Sequence, residues 1–125
     1  MSDPLIPDDL RDFILRHIDS VAQLEALLLL RSAPDEGWDA PRAAKRLYVT
    51  AQSAEEVLSR LCDDGLLSQN ADLYRYHGQP EELRRMVDRL AATYTRHLIP
   101  VTNLIHGKPR RIREFADAFR FKRDR

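Results

Sequence analysis

One cysteine, four glycines and no long apolar run set the first limits on this chain of 125 residues. The lone Cys62 cannot form an internal disulfide, which fits a reducing compartment, and it excludes a cysteine-based metal cluster. The glycines stand singly at positions 37, 65, 78 and 107, each in a turn or helix-end context, so no glycine-rich loop cradles a phosphate. His17, His77, His97 and His106 are scattered without paired spacing to one another or to Cys62, which leaves no zinc pattern. The longest apolar stretch, residues 26–30, is far short of the roughly 20 residues a transmembrane helix needs, so no membrane span is expected. The first residues, Met1-Ser-Asp-Pro-Leu-Ile-Pro-Asp-Asp, have neither the basic start nor the apolar core of a secretion signal, so a cytoplasmic protein is expected.

What is present suits one helix-rich soluble domain: 43% hydrophobic and 32% charged residues in a length that supports a single core. The net charge is zero, but it is unevenly spread. Residues 1–80 hold 14 acidic and 8 basic residues, whereas residues 81–125 hold 6 acidic and 12 basic. Such a split fits a carboxy-terminal arm that touches an anionic partner. It equally fits two halves that attract each other in the fold or in a dimer. The carboxylate pairs Asp8-Asp9, Asp35-Glu36, Glu55-Glu56 and Asp63-Asp64 sit at helix starts or surface positions, where catalysis is not the reading they call for. No enzyme and no cofactor are expected.

Periodicity and punctuation order the elements. Pro7-Asp8-Asp9 opens a first helix with Leu10, Phe13, Ile14, His17 and Ile18 on one face. Ser20-Val-Ala-Gln23 reads as a capping box ahead of Leu24, Leu27, Leu28 and Leu30, in a second helix ending near Arg31. A polar turn-rich loop, residues 32–37, precedes Trp38, an anchor for the core. Asp39 caps a short third helix whose Ala43, Ala44 and Leu47 form a narrow face suited to close packing. A fourth helix starts in Thr50-Ala-Gln-Ser53, with Ser53 and Glu56 spaced as a capping box, and runs to about Asp64 before Gly65. Residues 66–69 and 73–77 read as short strands around Asn70-Ala-Asp72. Pro80 opens the longest helix, with Leu83, Met86, Val87, Leu90, Ala91, Tyr94 and Leu98 as its stripe and Pro100 as its interruption.

The run Leu58-Ser-Arg-Leu61-Cys-Asp-Asp-Gly65-Leu-Leu67, placed after three helices and before a hairpin, resembles winged helix-turn-helix regulators of the MarR and PadR type. In them a leucine, three residues, then Gly-Leu and a further apolar residue end the recognition helix and open the wing. Leu61, Gly65, Leu66 and Leu67 match, and the likeness covers roughly residues 22–77. It implies a mainly α fold with a small β-hairpin wing: a winged helix-turn-helix over 1–79 and a long carboxy-terminal helix over 80–106 for dimerisation or packing. The residues beyond read as a basic amphipathic tail helix over 107–125, a segment not expected of that resemblance. The resemblance also implies a DNA-binding transcriptional regulator in which the fourth helix enters a major groove.

On that reading the fourth helix turns Gln52, Ser53, Ser59 and Arg60 outward, with Gln52 and Ser53 placed to reach base edges, and Arg42, Lys45, Arg46, Arg75 and the basic tail hold phosphate. Glu55, Glu56, Asp63 and Asp64 on the same helix repel phosphate, so the alternative is an adaptor whose acidic recognition helix and basic tail bind a protein. A homodimer through Leu83, Met86, Val87, Leu90, Tyr94 and Leu98 is expected; the same stripe also suits packing on the first helix. In the tail, Ile112, Phe115 and Phe119 form an apolar face ringed by cations that include Arg110, Arg111 and Arg113. This segment suits docking on the acidic domain, contact with the DNA backbone, or attachment to a membrane or an acidic groove. Cys62 reads as a structural thiol or as a redox sensor, and Asp63 and Asp64 oppose the second role by raising its pKa.

Overall fold

The computed structural model describes residues 5–107. In chain order they form α1 (Asp8–His17), α2 (Val21–Ser32), α3 (Ala40–Leu47), α4 (Ala51–Asp63), β1 (Leu67–Asn70), β2 (Leu73–Tyr76), α5 (Glu81–Arg96) and α6 (Leu98–His106). The fold is mainly α with one small antiparallel hairpin, as the sequence led us to expect. Among the described residues no helix is long and apolar enough to cross a membrane.

Side-chain caps fix where α2, α3 and α4 begin. The Ser20 hydroxyl accepts the Gln23 N–H at 3.1 Å, and the Gln23 side chain returns to accept the Asp19 N–H at 2.9 Å. That closes the capping box between α1 and α2. Asp39 accepts the Arg42 N–H at 2.8 Å at the start of α3. The cap of α4 is Thr50, which accepts the Ser53 N–H at 3.0 Å. Ser53 thus lies inside the helix and does not pair with Glu56 as a cap, because the Thr50 hydroxyl already satisfies the donor one turn ahead.

α2 is the central helix. Leu24, Ala26, Leu27 and Leu30 are fully buried, and it touches α3, α4 and β2. α4 ends in a Schellman turn: Leu66 N–H reaches the Leu61 carbonyl at 2.9 Å and Gly65 N–H the Cys62 carbonyl at 3.0 Å, with Gly65 at φ +80. The hairpin follows in the register Leu67↔Tyr76 to Asn70↔Leu73, so its first strand lies one residue later than the pattern suggested, its second ends one residue earlier, at Tyr76, and Ala71-Asp72 make the turn. Trp38, 2% exposed, exchanges two backbone hydrogen bonds of 2.8 Å with Tyr74 and so adds a one-residue third strand.

The long helix does not run on to Pro100. It ends at Arg96, and His97 (φ −133, ψ 55) separates it from α6. Proline has no N–H and its ring collides with the carbonyl four residues earlier, here that of Arg96, so the bend falls ahead of the ring. Val87 and Leu90 of α5 and Val101 and Ile105 of α6 are buried in the same core cluster as Leu10 and Ile14 of α1. Across the surface, Asp9 takes the Arg89 guanidinium at 2.6 and 2.9 Å and pins the start of α1 to α5. The stretch 80–106 therefore shares one core with the residues before it.

Candidate nucleic-acid interface

α3, a three-residue turn and α4 form a corner on the surface. Ala43 and Ala44 bury the inner face of α3 and let it lie close to α4, while Pro41, Arg42, Lys45 and Arg46 remain exposed. Across the turn, Gln52 and Ser53 stand exposed in the first turn of α4. The last turn of α3 thus offers Lys45 and Arg46, and the first turn of α4 offers an amide and a hydroxyl. Lys45 makes no ion pair among the described residues.

Of the other expected DNA contacts, Arg42, Arg75 and Arg60 are already engaged. The Arg42 guanidinium lies 3.8 Å from the centre of the Trp38 ring, donates to the Gly37 carbonyl at 3.2 Å and meets Glu36 at 3.4 Å. Arg46 stands farther from the same ring, at 5.7 Å. Arg75 donates to the Asp35 carbonyl, so Arg42 and Arg75 both hold the loop that leads into Trp38. Arg60 is turned to Asp19 at 3.1 Å, between α1 and α2. Ser59 is exposed one turn from the carboxy-terminal end of α4, away from Gln52. Arg42 and Glu36 are 46% and 52% exposed, and a surface pair of that kind is worth little, so Arg42 can trade Glu36 for another anion.

Beside this corner lies an acidic cleft of about 320 Å³, lined by Asp39, Ala40, Pro41, Glu55, Gln69, Asp72 and Tyr74. It opens between the starts of α3 and α4 and the tip of the hairpin. Tyr74 is 4% exposed, and burial first, then the charges of Cys62, Glu55 and Asp72, raise its phenol above the ordinary range. Two turns along α4 from Glu55, burial and then Asp63 push the Cys62 thiol up to about 11, so it stays protonated at neutral pH.

The stripe read as a dimer contact divides in two. Val87, Leu90 and Tyr94 are buried within the chain's own core, with the Tyr94 hydroxyl donating to Glu25 at 2.9 Å. Leu83 and Met86 are half-buried against that core. Leu98 lies past the break, in α6, 50% exposed beside Ile99 at 63%. Arg110, Arg111 and Arg113, with the rest of the tail, lie outside the described residues.

One residue at the corner escaped the sequence reading. Tyr48 closes α3 in the left-handed conformation (φ 58, ψ 43) with its ring 94% exposed. Its sequence signal was a helix end, between Leu47 and Thr50, that carries neither glycine nor asparagine. Comparison of the chain with protein-family models, with curated proteins and with solved structures finds no match.

Proposed function

We propose that this is a cytoplasmic winged-helix protein of the MarR and PadR type that binds duplex DNA as a transcriptional regulator, with the α3–α4 corner as its DNA contact. The observation that carries the reading is the grouping of Lys45, Arg46, Gln52 and Ser53, all exposed, about the amino-terminal end of α4. Helix starts favour anions, because their first N–H groups lack helical partners and the peptide dipoles add there. Lys45 and Arg46 supply phosphate attraction, and Gln52 is the side chain suited to a base edge. A homodimer belongs to this reading, with Leu98 and the half-buried Leu83 and Met86 left to meet a mate once Val87, Leu90 and Tyr94 are spent on the core. The test is titration of labelled duplex DNA with the full chain and with the reversal K45E/R46E. Binding by the wild type that is lost in the reversal supports the corner, and unaltered affinity in the reversal removes it.

A second reading has its own observation. Asp39, Glu55 and Asp72 converge on one cleft, where they suit a lysine or arginine of a protein partner and repel a phosphate. A partner recovered with the wild type and lost on E55K, together with absence of DNA binding, would select this adaptor role.

A further inference from the structure

Resting on the DNA-binding reading, we infer that Tyr48 is a DNA contact: its ring packs on a deoxyribose and its hydroxyl donates to the adjoining phosphate at the α3–α4 corner. The side chain does nothing for the fold. Its ring is 94% exposed, and its hydroxyl makes no hydrogen bond among the described residues. The backbone beneath it is left-handed, at φ 58 and ψ 43, a region where a side chain of this kind is disfavoured and glycine or asparagine sits at lower free energy. A large apolar ring held in water on an unfavourable backbone has no folding advantage over glycine, so the advantage lies in what the ring touches.

The surroundings say what that is. Lys45 stands one helical turn before Tyr48, exposed and without an ion pair among the described residues, and Thr50 caps α4 two residues after it. In the first turn of α4 only the Ser53 N–H is taken by the cap, so the amides of Ala51 and Gln52 face outward with the positive end of the helix. A cation, free amides and an aromatic with a hydroxyl match a sugar–phosphate unit in both its parts: charge and donors for the phosphate, an apolar face for the sugar. The acidic cleft beside the corner repels phosphate and so limits the approach of a backbone to it.

The test uses full-length wild type, Y48G and Y48F, each measured for thermal midpoint and for affinity to a labelled duplex across a salt series. Y48G is expected to keep or raise the midpoint, because glycine relieves the left-handed backbone, and to bind duplex about tenfold more weakly, with Y48F in between. The salt slope should stay that of wild type, since a neutral side chain displaces no counterion. Y48G binding within about twofold of wild type, or melting several degrees lower, would overturn the inference while leaving the DNA reading intact. A self-association lost in Y48G with DNA affinity unchanged would assign the ring to a second copy and overturn it as well. Absence of wild-type binding at about 50 mM salt would overturn the DNA reading itself, and the inference with it.

Discussion

Replacing Gln23 by leucine tests how α1 is joined to α2. Gln23 is 3% exposed; its side-chain oxygen accepts the Asp19 N–H at 2.9 Å and its nitrogen donates to the His17 carbonyl at 2.7 Å. One amide thereby serves the last carbonyl of α1 and the connection into α2. Leucine has nearly the same volume, so no cavity opens, but both backbone groups lose their partner. An orphaned buried group costs about 1–3 kcal/mol, and His17 and Asp19 are only half-buried, so the pair costs about 2–3 kcal/mol. Burying the added apolar surface returns about 1 kcal/mol. The net loss is about 1–2 kcal/mol, read in urea as a midpoint lower by about 0.5–1 M with an unchanged slope. S20A provides the comparison: it removes only the cap at 3.1 Å and should cost about 1 kcal/mol. A Q23L midpoint equal to that of wild type would refute the assignment of this junction to the amide.

Gly65 has φ +80 and nothing within 4 Å of an added Cβ, so G65A meets only the left-handed backbone penalty and should lose about 1 kcal/mol in denaturant unfolding. With its thiol near 11, Cys62 should react with iodoacetamide at pH 8 through a thiolate fraction about a hundredfold below that of an unperturbed thiol, the rate climbing about tenfold per pH unit toward pH 10. A fast reaction at pH 8 would instead favour a sensor thiol. The Arg89 hydrogen bonds hold the Asp9 carboxyl down to about 2, below its ordinary 3.8. A depressed carboxylate stabilises the fold above the unfolded value and loses that effect as pH falls through the folded one. The stability gap between wild type and R89A should therefore be constant above about pH 5 and close between pH 4 and 2, followed by urea unfolding at each pH.

Local chemistry was readable from the residues. Ser20, Asp39 and Gly65 marked their turns because a cap or a left-handed glycine acts through neighbours one to four positions away, and the alternation in residues 66–77 marked a hairpin. The capping assignment at Ser53 failed for the same local reason, since Thr50 offered an equivalent hydroxyl three residues earlier. What stayed hidden depends on distant partners. The Trp38–Tyr74 pairing spans the α3–α4 unit, and no spacing rule reports it. The engagement of Arg60 with Asp19 and of Arg75 with the Asp35 carbonyl joins residues about 40 apart, so cations that looked available for DNA proved to be partly committed. Val87, Leu90 and Tyr94 show the same limit, because a helical stripe announces burial without naming what buries it.

That the α3–α4 corner holds a duplex is tested most directly by the salt dependence of binding, measured on the full chain and on K45A/R46A. If Lys45 and Arg46 each neutralise a phosphate, the slope of log affinity against log salt flattens by about 1.8 in the double variant, since each phosphate contact contributes about 0.9. A wild type that fails to bind at low salt, or a double variant with the wild-type slope, would contradict the assignment of DNA to this corner.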